Sequence, residues 1–329
     1  MFNTVIFPVI YGLVIFLAGM KVMESALGSW AGPLLSDFLR KATSSPLKGM
    51  LFSTGVTAIL QSSTAVTVLT MGLVNAGLLT YERTLGIILG SNIGTCLTTE
   101  LIGLQIGQIA LPMLGISGAV WAIAVIAEEY KPFFIRTSSH LMKPIQLTAL
   151  ATAGFALVML GIRVMQMIGP ALENTSMFGW FIAQATHNVW WGIAAGAVLT
   201  ALMHSSAAVI SLAIALSAAG TLPVGIGIAI VLGANVGTCV TAVIAAIGST
   251  KSGQFVAWTH VVLNVGGALL FMPFIPQLQW MSALLSADSG AQIAHAQTLF
   301  NVICSVAALP LCYLPVWTKP TRATRIPPP

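Results

Sequence analysis

The sequence predicts an all-α polytopic membrane protein with two inverted structural repeats, each containing a re-entrant helical hairpin and a broken transmembrane helix. Three observations support this prediction: an apolar composition, two polar motifs that recur at a fixed spacing, and an uneven placement of Lys and Arg. Charged residues are 6% and hydrophobic residues 57% of the 329-residue chain, and the mean hydropathy is +0.94. Because a soluble domain carries about 25% charged residues, lipid rather than water must face most of this surface.

The same composition disfavours several other classes of protein. Long apolar runs suit helices better than the alternating strands of about 10 residues in a transmembrane β-barrel. The formal net charge of +5 is small, and the chain has no features of a nucleic-acid-binding protein. The cysteines lie in apolar runs without a Cys-x-x-Cys pair, which indicates packing rather than a metal or disulfide site. The four are Cys96, Cys239, Cys304 and Cys312.

Two polar motifs occur twice in the chain, at a constant offset of 143 residues. Residues 61–64 (Gln-Ser-Ser-Thr) align with residues 204–207 (His-Ser-Ser-Ala). Residues 90–95 (Gly-Ser-Asn-Ile-Gly-Thr) align with residues 233–238 (Gly-Ala-Asn-Val-Gly-Thr). Apolar segments can resemble one another by chance, but two polar blocks at identical spacing indicate an internal repeat.

Each motif interrupts an apolar segment in a different way. A helix over residues 47–60 would be roughly 21 Å long, which is shorter than the ~30 Å hydrocarbon core of a bilayer. We therefore expect a re-entrant hairpin with its tip at residues 60–62, and a second hairpin with its tip at residues 204–206. The Asn-x-Gly-Thr blocks predict breaks in full spans, where glycine lets the backbone unwind.

The placement of Lys and Arg predicts how the repeats lie in the membrane. Arg40, Lys48 and Arg83 flank the first hairpin, whereas no Lys or Arg occurs between Arg163 and Lys251, around the second hairpin. By the positive-inside rule the first hairpin enters from the cytoplasm and the second from the outside. The two repeats are therefore expected to be inverted relative to each other.

The chain is expected to form a single transmembrane domain over residues 1–329, with the amino terminus outside. Repeat 1 covers about residues 40–127, repeat 2 about residues 183–275, and residues 318–329 form a cytoplasmic tail. Seven full spans are expected, near residues 5–26, 84–102, 109–127, 144–168, 224–247, 255–275 and 292–317.

Inverted repeats with discontinuous helices are typical of secondary transporters. A half-helix that begins near the middle of the membrane directs its unpaired N–H groups and the positive end of its dipole at an anion. Hydroxyl groups donate to an anion and also offer oxygen to a cation. Because no Lys or Arg is available at the middle of the membrane, helix dipoles must stabilise the charge of a bound anion, and this favours coupling to a co-bound cation such as Na⁺.

These motifs resemble those of the type II sodium–phosphate cotransporter family, in its short bacterial form without the soluble C-terminal domain. Residues 61–64, the weaker copy at 204–206 and both Gly-x-Asn-x-Gly-Thr blocks are similar to that family. Residues 16–23 are similar to the start of that family. Residues 260–264 and 297–301 are similar to its His-x-x-x-Asn pattern near the end. The chain departs from the family where His204 replaces a Gln, Ala207 replaces a hydroxyl residue and Gln297 replaces a His.

The resemblance implies a secondary active transporter that performs sodium-coupled symport of inorganic phosphate by alternating access. It implies a multi-pass protein of the bacterial inner membrane, with sodium as the coupling ion and no cofactor. Phosphate export, transport of another small oxyanion and a homo-oligomer stay open, and a non-transporting membrane protein is less favoured. The implied substrate-binding residues are Gln61, Ser62, Ser63, Thr64, His204, Ser205, Ser206, Asn92, Thr95, Asn235 and Thr238. Sodium is expected near Gln61, Ser62, Thr95, Ser205 and Thr238.

An intramembrane hydrolase that uses His204 and Ser205 is disfavoured, so no enzyme activity is expected. Adjacent residues on a helix point roughly 100° apart, and the first copy has Gln61, which cannot act as a base. Three other groups of polar residues are given smaller roles. Glu100 is placed near the outer boundary, Lys21 and Glu24 are expected to pair at the inner interface, and His260, Asn264 and Asn301 are expected to support helix packing.

Overall fold

A computed structural model describes residues 6–314 of the chain, except residues 43, 77, 105 and 131–138. The predicted tail at 318–329 lies outside the described residues. Within them the protein is all-helical, as the sequence predicts, and contains no strand. The first half contains α1 (Phe7–Ala42), α2 (Pro46–Leu60), α3 (Ser63–Asn75), α4 (Tyr81–Gly94), α5 (Cys96–Gly103), α6 (Ala110–Tyr130) and α7 (Ser139–Gln166).

The second half of the chain repeats the same order of short and long helices. Two helices, α8 (Gly169–Glu173) and α9 (Ser176–His187), lead into it. It then contains α10 (Trp190–Met203), α11 (Ser206–Ala218), α12 (Val224–Gly237), α13 (Cys239–Ala246), α14 (Lys251–Phe271), α15 (Ile275–Leu285) and α16 (Ser289–Ala308).

Seven stretches of the described helices are long and apolar enough to cross a membrane. Each coincides with one of the seven spans expected from the sequence, although several extend further at one end. The spans are Phe7–Ala31, Arg83–Gly103, Ile106–Glu129, Met142–Glu173, Val224–Ala246, Lys251–Leu285 and Ser289–Tyr313. The prediction of a multi-pass helical membrane protein is therefore confirmed.

The first predicted hairpin is formed by α2 and α3. Ser45 caps the start of α2 by accepting from the Lys48 amide at 3.4 Å, and Pro46 occupies the first turn, where a missing N–H costs nothing. Gln61 ends α2 in the left-handed conformation, with φ of 56°. Ser62 then begins α3 by accepting from the Ala65 amide at 3.3 Å. The chain thus reverses within two residues.

The second predicted hairpin, α10 and α11, has the same local structure at its tip. His204 ends α10 with φ of 52°, and the Ser205 hydroxyl accepts from the Ala208 amide at 3.2 Å to begin α11. The internal repeat is thus visible in backbone angles and caps as well as in sequence. Insertion of the two hairpins from opposite faces of the membrane stays a prediction.

The breaks expected at the Asn-x-Gly-Thr blocks are present at Thr95, between α4 and α5, and at Thr238, between α12 and α13. The backbone nevertheless does not unwind at these breaks. Gly94 and Gly237 are the last residues of their helices, and the threonines that follow them keep near-helical angles, with φ of −65° and −60°. The glycines serve close packing instead. A Cβ on Gly94 would lie 2.6 Å from the Thr54 carbonyl oxygen, and one on Gly237 2.5 Å from the Ala197 carbonyl oxygen.

Two long helices complete the two repeats in equivalent ways. The Cys96 thiol at the start of α5 donates to the Gln297 carbonyl of α16 at 3.9 Å. The Cys239 thiol at the start of α13 donates to the His260 carbonyl of α14, also at 3.9 Å. The contact between α16 and α5 therefore matches the contact between α14 and α13. Through these contacts, Gln297 and His260 occupy equivalent places on either side of the hairpin tips.

Candidate anion site between the hairpin tips

The two hairpin tips meet at one small cavity. Its volume is about 70 Å³, far below the roughly 300–1,000 Å³ of pockets for drug-sized ligands. A site of this size suits a small ion. Nine of the predicted substrate residues line it: Gln61, Ser62, Ser63, Thr64, Thr95, His204, Ser205, Ser206 and Thr238. The remaining lining residues are Met20, Glu24, Thr98, Thr99, Ala207 and Gln297.

The two predicted asparagines do not line this cavity. The Asn92 amide donates instead to the Asn264 side-chain oxygen at 3.2 Å, which ties α4 to α14. The Asn235 amide donates to the Val231 carbonyl at 2.9 Å within its own helix and is buried. This arrangement supports a positioning role for both residues, and their predicted contact with substrate stays a prediction.

Helix starts are the main source of hydrogen-bond donors at the cavity. Both α3 and α11 begin there, and the first N–H groups of a helix have no partner within the helix. Ser62 and Ser205 each accept one such N–H as caps, but their hydroxyl protons stay free to donate. The starts of α3 and α11 therefore bring unpaired N–H donors to the same cavity, which favours an anion.

Gln61 and His204 occupy the same position in the repeat but have different surroundings. The Gln61 amide donates to the Ala58 carbonyl, and its oxygen accepts from the Thr98 hydroxyl. Its side chain therefore fixes the first tip to α5 and is 8% exposed. His204 is exposed at the second tip. The second hairpin tip thus has an exposed imidazole at the position where the first tip has a buried amide.

The electrostatics of the cavity are unusual for an anion site. Among the residues that the structure describes, no Lys or Arg lines it and one carboxylate does, Glu24 of α1. The expected pairing of Lys21 with Glu24 is confirmed, with the Lys21 Nζ 3.8 Å from the Glu24 oxygen. Because the Lys21 side chain is 82% exposed and this contact is long, it screens Glu24 only weakly. An anion would therefore bind near a negative charge.

Sequence reasoning missed four polar lining residues. Thr98 and Thr99 lie one helical turn after Thr95, so helical periodicity could have identified them. Glu24 was assigned to a pair at the interface. Gln297 was noted only as a departure from a motif, yet it is 3% exposed and its side-chain oxygen has no hydrogen-bond partner.

The other polar residues singled out in the sequence lie outside this cavity. Asn264 donates to the His260 carbonyl at 3.0 Å and Asn301 to the Gln297 carbonyl at 3.1 Å, consistent with a role in packing. Glu100 lies 2.9 Å from the His295 imidazole and accepts from the Thr298 hydroxyl, which joins α5 to α16.

Comparison with known proteins assigns the chain to a family. Residues 15–167 and 169–286 match the family model described as Na⁺/Pi-cotransporter. The chain is 32% identical over 302 residues to YqeW of Bacillus subtilis, an uncharacterized protein, covering 92% of this chain and 93% of YqeW. It is also 22% identical over 293 residues to YjbB of Escherichia coli K12, named as a proposed inorganic phosphate export protein.

Coverage differs among these relatives. The YjbB match covers 89% of this chain and 51% of YjbB, so the chain spans about half the length of that relative. Human sodium-dependent phosphate transport protein 2B is 32% identical over 99 residues, which is 29% of this chain and 14% of that protein. No solved structure matches the chain. The extent of the family match shows that this chain is a member of the Na⁺/Pi-cotransporter family.

Proposed function

We propose that this protein is a secondary active transporter that moves inorganic phosphate together with sodium by alternating access. The observation that supports the proposal most strongly is the meeting of two helix starts and their serines at one ion-sized cavity. Phosphate has several acceptor oxygens, which match this density of N–H and hydroxyl donors. The seven apolar spans provide the lipid-facing surface, and the bacterial inner membrane is the proposed location.

Coupling to a cation follows from the charge of the site. The cavity has a carboxylate and no fixed positive side chain, so phosphate alone would bind against Glu24. A sodium ion bound nearby lowers the cost of burying the anion, and by linkage phosphate strengthens sodium binding by the same factor. The location of this ion near Gln61, Ser62, Thr95, Ser205 and Thr238, as expected from the family resemblance, stays a prediction.

Net export of phosphate is the second candidate, and it uses the same site. YjbB is named as a phosphate export protein, and that relative aligns with 89% of this chain. Human transport protein 2B is named as sodium-dependent. A transporter that alternates between two faces runs in whichever direction the combined gradients drive, so both outcomes fit one mechanism.

Phosphate binding to the purified protein tests the proposed site. We expect isothermal titration to give a lower Kd for phosphate in sodium chloride than in choline chloride. Ser63→Ala and Ser206→Ala should each weaken binding by about 1–3 kcal/mol, because each removes a donor to a buried charged partner. Sulfate as a competitor distinguishes phosphate from other oxyanions.

Ser211→Ala is the matched control, because Ser211 is a buried serine of α11 whose hydroxyl donates only to the Ala207 carbonyl, at 2.5 Å. This variant should bind phosphate like the wild type. Unchanged Kd values in both Ser63→Ala and Ser206→Ala would show that the site is misplaced. A Kd that is the same in sodium and choline would contradict sodium coupling.

A further inference from the structure

A second, smaller cavity lies directly beside the candidate anion site. It is bounded by α3, α13 and α14, and its volume is about 10 Å³, roughly the space that one water-sized particle requires. Its polar lining consists of Ser63, Thr64, Thr67, Thr238, Thr241 and His260. Ser63, Thr64 and Thr238 also line the larger cavity, so an occupant of the small cavity would lie next to a bound anion.

His260 shows that this small cavity requires an occupant. The imidazole is 2% exposed, and neither of its nitrogens has a hydrogen-bond partner within the described part of the chain. A neutral imidazole carries one N–H donor and one nitrogen lone pair. Burying both without partners is costly, so a bound ion or water must interact with the ring.

The equivalent position in the other half of the molecule is poorer in oxygen. His260 corresponds to Gln297, as the matching thiol contacts of Cys239 and Cys96 show. At the repeat offset, however, Thr64 corresponds to Ala207 and Thr67 to Ile210. Ile210 is fully buried, so an apolar side chain fills the place of the Thr67 hydroxyl. The repeat-related place therefore lacks two of the hydroxyl groups that line this cavity.

We propose that the small cavity binds one sodium ion, with the Thr67 and Thr241 hydroxyl oxygens and a nitrogen of His260 among its ligands. This inference rests on the proposed function and locates its coupling ion away from Gln61, Ser62 and Ser205. Hydroxyl oxygens suit a hard monovalent cation. Among the residues that the structure describes, no three His, Cys, Asp or Glu side chains converge as a transition metal would require.

The position also explains why the ion is coupled to the anion. The two cavities share a wall formed by Ser63, Thr64 and Thr238. A sodium ion in one cavity and a phosphate ion in the other would therefore be neighbours in a low-dielectric interior. Their attraction is strong there. Because only one of the two repeat-related places has the full set of hydroxyl groups, a single ion also makes the molecule functionally asymmetric although its backbone is repeated.

The test is the sodium dependence of phosphate uptake into proteoliposomes, measured for Thr67→Val and His260→Leu. Each change should raise the sodium concentration for half-maximal uptake about tenfold or more, as the loss of one buried ligand predicts. Leu is used because, unlike Gln, it has no side-chain oxygen that could replace the imidazole as a ligand. Thr70→Val is the control: Thr70 is buried on α3, and its hydroxyl donates only to the Val66 carbonyl, at 2.7 Å.

A second measurement separates loss of the ion site from loss of fold or transport. Sodium chloride should raise the unfolding temperature of purified wild-type and Thr70→Val protein relative to choline chloride. That increase should disappear in Thr67→Val. If the sodium dependence and the stabilisation by sodium are unchanged in both Thr67→Val and His260→Leu, the cavity holds water and the inference is wrong. If the wild type itself lacks sodium-dependent phosphate transport, the proposed function fails as well.

Discussion

At the scale of single residues, Gln61 and His204 show what the repeat preserves and what it varies. Both adopt a left-handed backbone, with φ of 56° and 52°, which costs a residue with a Cβ about 1 kcal/mol. The shared conformation ends one helix and begins the next at the cavity. The side chains differ, since Gln61 is fixed by Thr98 whereas His204 is exposed.

The sequence predicted most of the lining residues of the cavity but not their partners. Doubling of the motif identified the serines at both tips, because polar residues inside apolar membrane segments cost free energy and are retained mainly where they bind or pack. The contact of Gln61 with Thr98 could not be predicted, since it joins residues of different helices. The place of Glu24 at the cavity could not be predicted for the same reason. The spacing of Lys21 and Glu24 predicts that they pair, but it does not predict that α1 packs against the hairpin tips.

At the scale of elements, apolar length predicted the seven spans, and hairpin arms too short for a bilayer predicted the two hairpins. The sequence predicted that glycine unwinds the backbone at the Asn-x-Gly-Thr blocks, but Gly94 and Gly237 are the last residues of regular helices and serve close packing. Gly90 and Gly233, one turn earlier, likewise allow two backbones to touch. A Cβ would lie 2.0 Å from the Met50 carbonyl oxygen at Gly90 and 1.9 Å from the Ile193 carbonyl oxygen at Gly233.

Substitution of these two glycines should separate each hairpin from its broken helix. Gly90→Ala and Gly233→Ala should each destabilise the protein by about 1–3 kcal/mol or more, because the added methyl group would clash with backbone that cannot easily move. Gly115→Ala is the control, since nothing lies within 4 Å of a Cβ there and Ala favours a helix. Thermal unfolding in detergent measures all three. Equal stability of the three variants would contradict the close packing.

At the scale of the whole molecule, orientation in the membrane depends on charge placement and not on the fold itself. Single cysteines at Ser45 and Pro223, in a background without the four native cysteines, should react with an impermeant thiol reagent from opposite faces of the membrane. Ser45 begins the first hairpin and Pro223 follows the second. Labelling of both positions from the same face would show that the repeats are not inverted.

The central claim, that the two halves together move phosphate with sodium, is tested most directly by flux. Purified protein in liposomes should accumulate radiolabelled phosphate when sodium is high outside, and this uptake should stop when choline replaces sodium or an ionophore dissipates the sodium gradient. Reversing the gradient should drive phosphate out, because the cycle is reversible. Phosphate movement that is equal with and without a sodium gradient, or no movement by folded protein, would contradict the account.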